Sequence, residues 1–242
     1  SVPVLGLVVG GLGFLLLFVK RQQQLSVPFL NLKAFANLEF RLSVLSSMLI
    51  YCSMMAVSTL LPLYNQSLRG VSATTSGLIM MPGSLVTALI SPVAGKIYDR
   101  IGIRKLYLIG GFLILTGHIS FCLLTTDTPV AIISVLFLVR QLGIGMLMMT
   151  TVTWGMSTLQ GEMISDGTAI ISSLRTVSGA IGSAVFVSIM SAVAGRSAVA
   201  GRSDVAAMMC GIRAAFAGIA LLSAVLFLLA VLCIGRKKNS HC

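Results

Sequence analysis

The 242 residues are 57% hydrophobic and only 10% charged, against about 25% charged in soluble domains. Seventeen Lys and Arg face six Asp and Glu, a net charge of +11, and the mean hydropathy is +1.02. These values exclude a disordered chain, a disulfide scaffold and a standard water-soluble enzyme, and fit a chain whose solvent is lipid.

A spanning helix needs about 20 apolar residues. Charge-free runs place spans at 1–19, 43–64, 73–95, 106–125, 129–152, 167–194 and 212–235. The runs are continuously apolar, without the alternation of a barrel strand, so the expectation is an all-α, polytopic membrane protein of about seven helices. The first run begins at Val2 with no initiator Met, basic leader or cleavage site. It reads as a span entered midway, and the chain as a piece of a longer protein rather than one led by a signal peptide. Glycines within the runs, among them Gly6, Gly10 and Gly117, suit close helix contacts. Pro82 and Pro92 predict a kink in the third run.

The basic residues lie between the runs and form no single stripe, which points to membrane orientation rather than nucleic acid. A cytoplasmic C-terminus puts Lys20, Arg21, Lys33, Arg41, Lys96, Arg100, Arg104, Lys105, Arg236, Lys237 and Lys238 inside. It leaves Arg69, Arg196, Arg202 and Arg213 outside, and that bias selects this orientation over its mirror. Cys52, Cys122, Cys210, Cys233 and Cys242 show no ligand spacing, so no disulfide, metal site or cofactor is assigned.

Polar residues within the runs are few. Arg140, near the middle of its span, costs about 2.5–3.5 kcal/mol on insertion scales. A coupling role, through a carboxylate or the substrate, is preferred to a structural arginine capped by carbonyls and Gln141. Arg175 lies nearer a span end, where snorkelling or pairing with Glu162 or Asp166 suffices. His118 could relay protons, but a hydrogen-bonded packing histidine is the preferred reading. No carboxylate lies deep in a span: Glu39, Asp99, Asp127, Glu162, Asp166 and Asp204 all fall at ends or in loops.

The stretch Gly95-Lys96-Ile97-Tyr98-Asp99-Arg100-Ile101-Gly102-Ile103-Arg104-Lys105 has the form G-x-x-x-D-R-x-G-x-R-K. The positive-inside rule explains its basic residues but not Asp99, Gly95 or Gly102. The glycines allow a tight turn, and Asp99 can face the positive end of a neighbouring helix. This stretch resembles the loop between the second and third helices of a half in the major facilitator superfamily. Arg140-Gln141-Leu142-Gly143-Ile144-Gly145 is similar to that family's fourth-helix motif. Leu174 to Gly182 is similar to the fifth-helix segment of its drug:proton antiporters, without their Gly-Pro pair. Pro28-Phe29-Leu30, Phe35-Ala36-Asn37 and Leu63-Tyr64-Asn65-Gln66 resemble the fourteen-span, EmrB/QacA-type multidrug exporters.

The resemblance implies an extra central helix at 1–19, a cytoplasmic linker at 20–42, a C-terminal six-helix half-bundle at 43–235 and a basic tail at 236–242. It implies a gate at Gly95, Asp99, Arg100, Gly102, Arg104 and Lys105, with Arg100 or Arg104 pairing with Glu162 or Asp166. Coupling or cavity candidates are Arg140, Gln141, Gly143, Gly145, Gln66 and Tyr51; Gly179 and Gly182 are packing positions. Met54, Met55, Met80, Met81, Met146, Met148 and Met149 fall on spans that would line a cavity and suit variable apolar drugs. The implied function is proton-coupled export of lipophilic or cationic drugs from a bacterial cell membrane by alternating access. The partners are small-molecule substrate, protons, the bilayer and an N-terminal half that also holds the coupling acid. The alternatives are a transporter of one defined metabolite and a non-transporting sensor or assembly subunit.

Overall fold

The computed structural model describes residues 32–161, 163–232 and 234, together with positions 10, 11, 13, 17 and 20. The rest of the expected first span, residues 21–31 of the linker, Glu162 and the basic tail lie outside the described residues.

A 3-10 turn, Leu32–Ala36, leads into Asn37, whose side chain accepts from the Glu39 N–H at 2.9 Å and caps α1 (Leu38–Leu63). Helix α1 runs on as a π turn, Tyr64–Leu68, and the chain reverses at Gly70 (φ 62°). Ser72 caps the next stretch by accepting from the Thr75 N–H at 3.1 Å. That stretch, Ala73–Cys122, is 50 residues long, about 75 Å at 1.5 Å per residue, and so more than twice the ~30 Å hydrocarbon core. It breaks at Gly102 (φ 78°, ψ 165°), giving α2 (73–101) and α3 (103–122). The remaining helices are α4 (Val130–Met156), α5 (Met163–Val199) and α6 (Asp204–Leu232). No strand occurs among the described residues. The five continuous helical stretches are each long and apolar enough to cross a membrane, and the break at Gly102 makes them six traverses.

One expectation changes. The charged segment 96–105 was expected as a loop, yet it is helical except at Gly102. Lys and Arg are good helix formers, and only one residue needs a left-handed φ. Gly95 is therefore a helical, exposed position with no neighbour near an added Cβ, not part of the turn. At Pro82 and Pro92 the backbone keeps helical φ/ψ, so neither proline ends the helix; the one non-helical residue in this stretch is Gly102.

Contacts give the direction of every helix. Along α4, α2 runs parallel: an added Cβ on Gly83 would meet Phe137, and one on Gly145 would overlap Ile90. Helix α3 runs antiparallel to α4, with Gly110 against Leu147 and Gly117 against Arg140. Helix α1 also opposes α4, since Ser43 donates to the Thr151 carbonyl while Ser53 lies at Arg140. Helix α5 follows α1, with Gly167 at Phe40 and Gly182 at Cys52, and α6 opposes α5, with Gly211 at Met190. The six helices thus alternate in direction. The turn at 32–37, the Gly102 joint, residues 157–161 and the end of α6 share one side. The π turn, residues 123–129 and residues 200–203 share the other.

Candidate functional site

The buried face of α4 carries Phe137, Arg140, Ile144, Leu147 and Thr151, at helical spacing. Arg140 is fully buried, the largest side chain so enclosed among the described residues. Its Nε donates to His118 Nε2 at 2.8 Å, one terminal nitrogen to Gln141 Oε1 at 2.8 Å, and the other to the Ser53 carbonyl at 3.1 Å. The guanidinium carbon lies 5.9 Å from the Phe137 ring centroid, within cation–π reach. None of these partners carries a charge.

An imidazole nitrogen that accepts cannot carry a proton, so the His118 proton resides on Nδ1. That nitrogen lies 2.6 Å from Ser223 Oγ, which donates in turn to the Ile219 carbonyl at 2.9 Å. The network joins α1, α3, α4 and α6. It has room because residue 117 is glycine: a Cβ there would lie 2.7 Å from Arg140 Cβ. Gly143 and Gly145 serve the same helix. An added Cβ on Gly143 would sit 2.6 Å from the Gly110 carbonyl, and one on Gly145 would collide with Ile90 and crowd the Thr87 backbone. Gln141 lies at the α2/α4 seam, 8% exposed, with its carbonyl accepting from Thr87 Oγ1 at 3.1 Å.

Tyr51 is half-buried on α1, beneath Arg175 of α5, whose guanidinium carbon is 5.2 Å from the ring centroid. The ring also packs on Gly179, where an added Cβ would meet it at 2.6 Å; Gly182 abuts Cys52 in the same way. Arg175 Nε has no hydrogen-bond partner. Asp166 precedes Arg175 by nine residues on α5, about 13.5 Å along the axis, and Glu162 is outside the described residues. Gln66 is exposed on the π turn, whereas its neighbour Asn65 is fully buried and donates to Ser76 Oγ at 3.2 Å.

Asp99, Arg100, Gly102, Arg104 and Lys105 are all exposed at the α2/α3 joint. None of the charged four makes a hydrogen bond or ion pair to another described residue. The structure therefore brings Arg140 and Gln141 together in one network and Tyr51 and Gly179 in another contact, and leaves the joint and Gln66 apart from both.

His118 and Ser223 as partners of Arg140 escaped the sequence reading. The signal was present: an arginine buried in a span needs acceptors, and His118 is the one imidazole within a span. Asn65 and Ser76 carry no such signal, since polar residues at the ends of spans are ordinary.

The model of the Major Facilitator Superfamily matches residues 2–183. The uncharacterized MFS-type transporter YcnB of Bacillus subtilis is 38% identical over 229 residues, 95% of this chain and 48% of its own length. The lincomycin resistance protein LmrB of the same organism is 38% identical over 192 residues, 78% of this chain and 39% of its own. The riboflavin transporter RibZ of Clostridioides difficile is 26% identical over 173 residues, 72% of this chain and 38% of its own. The chain thus spans less than half the length of these curated relatives.

Proposed function

The chain belongs to the major facilitator superfamily, and on that footing we propose that it is the C-terminal portion of a proton-coupled transporter that exports drugs or other amphipathic small molecules by alternating access. The observation that carries this reading is the likeness to LmrB over 78% of the chain, in a multi-pass membrane protein whose described part is one bundle of six traverses. In this fold two bundles rock about a midplane site, so the partner bundle belongs to the missing part of the protein. That part also holds the acid that loads and unloads protons.

In this reading residues 43–235 are the bundle, 20–42 the linker from an extra central helix at 1–19, and 236–242 a basic tail. The side holding Arg41, Lys96, Arg100, Arg104 and Lys105 faces the cytoplasm of a bacterial cell, as the positive-inside rule directs. Gly95, Asp99, Arg100, Gly102, Arg104 and Lys105 form the gate. In this reading Asp99 meets a helix end of the other bundle, and Arg100 or Arg104 pairs with Glu162 or Asp166. Arg140, Gln141, Gly143 and Gly145 serve coupling or the cavity, with Tyr51 and Gln66.

A second reading, transport of one defined metabolite, is favoured by the likeness to RibZ. One experiment separates them. The full-length protein is expressed in an efflux-deficient host, and retention of lincomycin, cationic dyes and riboflavin is measured with and without a proton uncoupler. Exclusion of several unrelated compounds, abolished by uncoupler, supports the drug exporter. Movement of riboflavin alone supports the metabolite reading, and uncoupler-resistant exclusion rejects proton coupling.

A further inference from the structure

The hydrogen bonds around Arg140 form a chain with one allowed direction. Ser223 gives its proton to the Ile219 carbonyl, so its oxygen receives the Nδ1 proton of His118. Only this tautomer leaves Nε2 bare to accept from Arg140. The reverse tautomer would set two donors face to face in a fully buried site. Arg140 then grips the carbonyl oxygen of Gln141, which polarises that amide. The amide nitrogen donates to no described residue, and Gln141 is the most exposed member of the chain, 8% against 2% or less for His118, Arg140 and Ser223. Helix α2 approaches Gln141 this closely because residue 83 is glycine, with an added Cβ only 3.0 Å from Gln141 Cγ.

We propose that His118, oriented by Ser223, is the positioning residue of the Arg140–Gln141 pair, and that the Gln141 amide nitrogen so presented donates to an oxygen acceptor on the transported compound. This rests on the transport reading above. The ligand chemistry is a carbonyl, amide or ether oxygen rather than a cationic nitrogen, because the presented group is a donor beside a buried cation.

The test uses the full-length protein in two measurements. Nitrogen-15 histidine spectra, with His118 assigned by difference from His118→Gln, should show a neutral ring protonated on Nδ1. Ser223→Ala should turn this into a tautomer mixture. In transport of lincomycin and riboflavin, His118→Leu should raise KM about tenfold, as expected for losing a hydrogen bond to a charged group, with surface expression and kcat little changed. His118→Gln, whose oxygen accepts from the Arg140 Nε–H, should restore KM. In a Gln141→Leu background His118→Leu should add little. A ring protonated on Nε2, a fall in expression and kcat with KM unchanged, or additive effects of the two leucines would each overturn the proposal. Should the wild type move no compound at all, the transport reading fails, while the tautomer and its response to Ser223→Ala still decide the positioning contact.

Discussion

Arg140 and the arginines at the Gly102 joint sit in opposite circumstances. Arg140 is enclosed on every side, and its three nitrogens reach an imidazole, an amide and a carbonyl. Arg100 and Arg104 are exposed on helix ends with no described partner. A cation in the middle of a bundle must be saturated by its own helices, because lipid offers nothing. A cation at the membrane edge is solvated by water and can wait for a partner in another part of the protein. The first arrangement stores rigidity, and the second leaves charge free to switch.

The sharpest way to break that contrast is at Arg140. Arg140→Leu strands the accepting nitrogen of His118 and the Gln141 oxygen, at about 1–3 kcal/mol for each unsatisfied group. The full-length protein should lose several degrees of melting temperature, at roughly 2–4 °C per kcal/mol, together with transport. Arg140→Lys should recover only part, since an ammonium cannot match the planar fork. Thermal unfolding at wild-type stability for Arg140→Leu would show the network to be idle.

Packing around the same helix comes next. Gly145→Val should cost about 1–3 kcal/mol through overpacking against Ile90 and the Thr87 backbone. Gly95→Val, facing open space, should cost only the tenths of a kcal/mol that separate helix propensities. Equal melting temperatures for the two variants would refute the packing described.

A smaller effect, on transport alone, is expected at the joint. Asp99→Asn should lower transport several-fold at normal surface expression, because one charge–dipole contact is worth about 0.3–2 kcal/mol. Arg104→Gln and Glu162→Gln should behave alike, and their double mutant should be less than additive if the two pair. Lost expression would make the joint a folding element instead.

Gentlest of all is cysteine labelling of intact cells. Positions 69 and 202 should react with an impermeant reagent, and positions 33 and 105 should not. Outside labelling at 105 would invert the topology.

Much of the fold was legible. Apolar runs located every helix that the structure describes, because the ~30 Å core leaves a one-dimensional mark on the sequence. The ends were less so: α5 was expected at 167–194 and spans Met163–Val199, since polar residues continue a helix beyond the lipid without an apolar signal. Arg140 announced itself as a charge in a hydrophobic run, but its partners did not. His118 and Ser223 are 22 and 83 positions away, and interhelical neighbours leave no periodic trace. The glycines of α4 and α5 hinted at close approach, yet which helix approached them came only from the packing.

The joint at Gly102 also bears on biosynthesis. A connection of one residue between two membrane helices has almost no loop entropy to lose on closure. As the chain emerges, α2 and α3 are already held side by side, and α4, next in sequence, packs on both through Gly143 and Gly145. Half of the bundle can therefore assemble from consecutive segments, before α5 and α6 are made. A substitution at position 102 would trouble this early step first, appearing as poor insertion rather than as a defect in the finished protein.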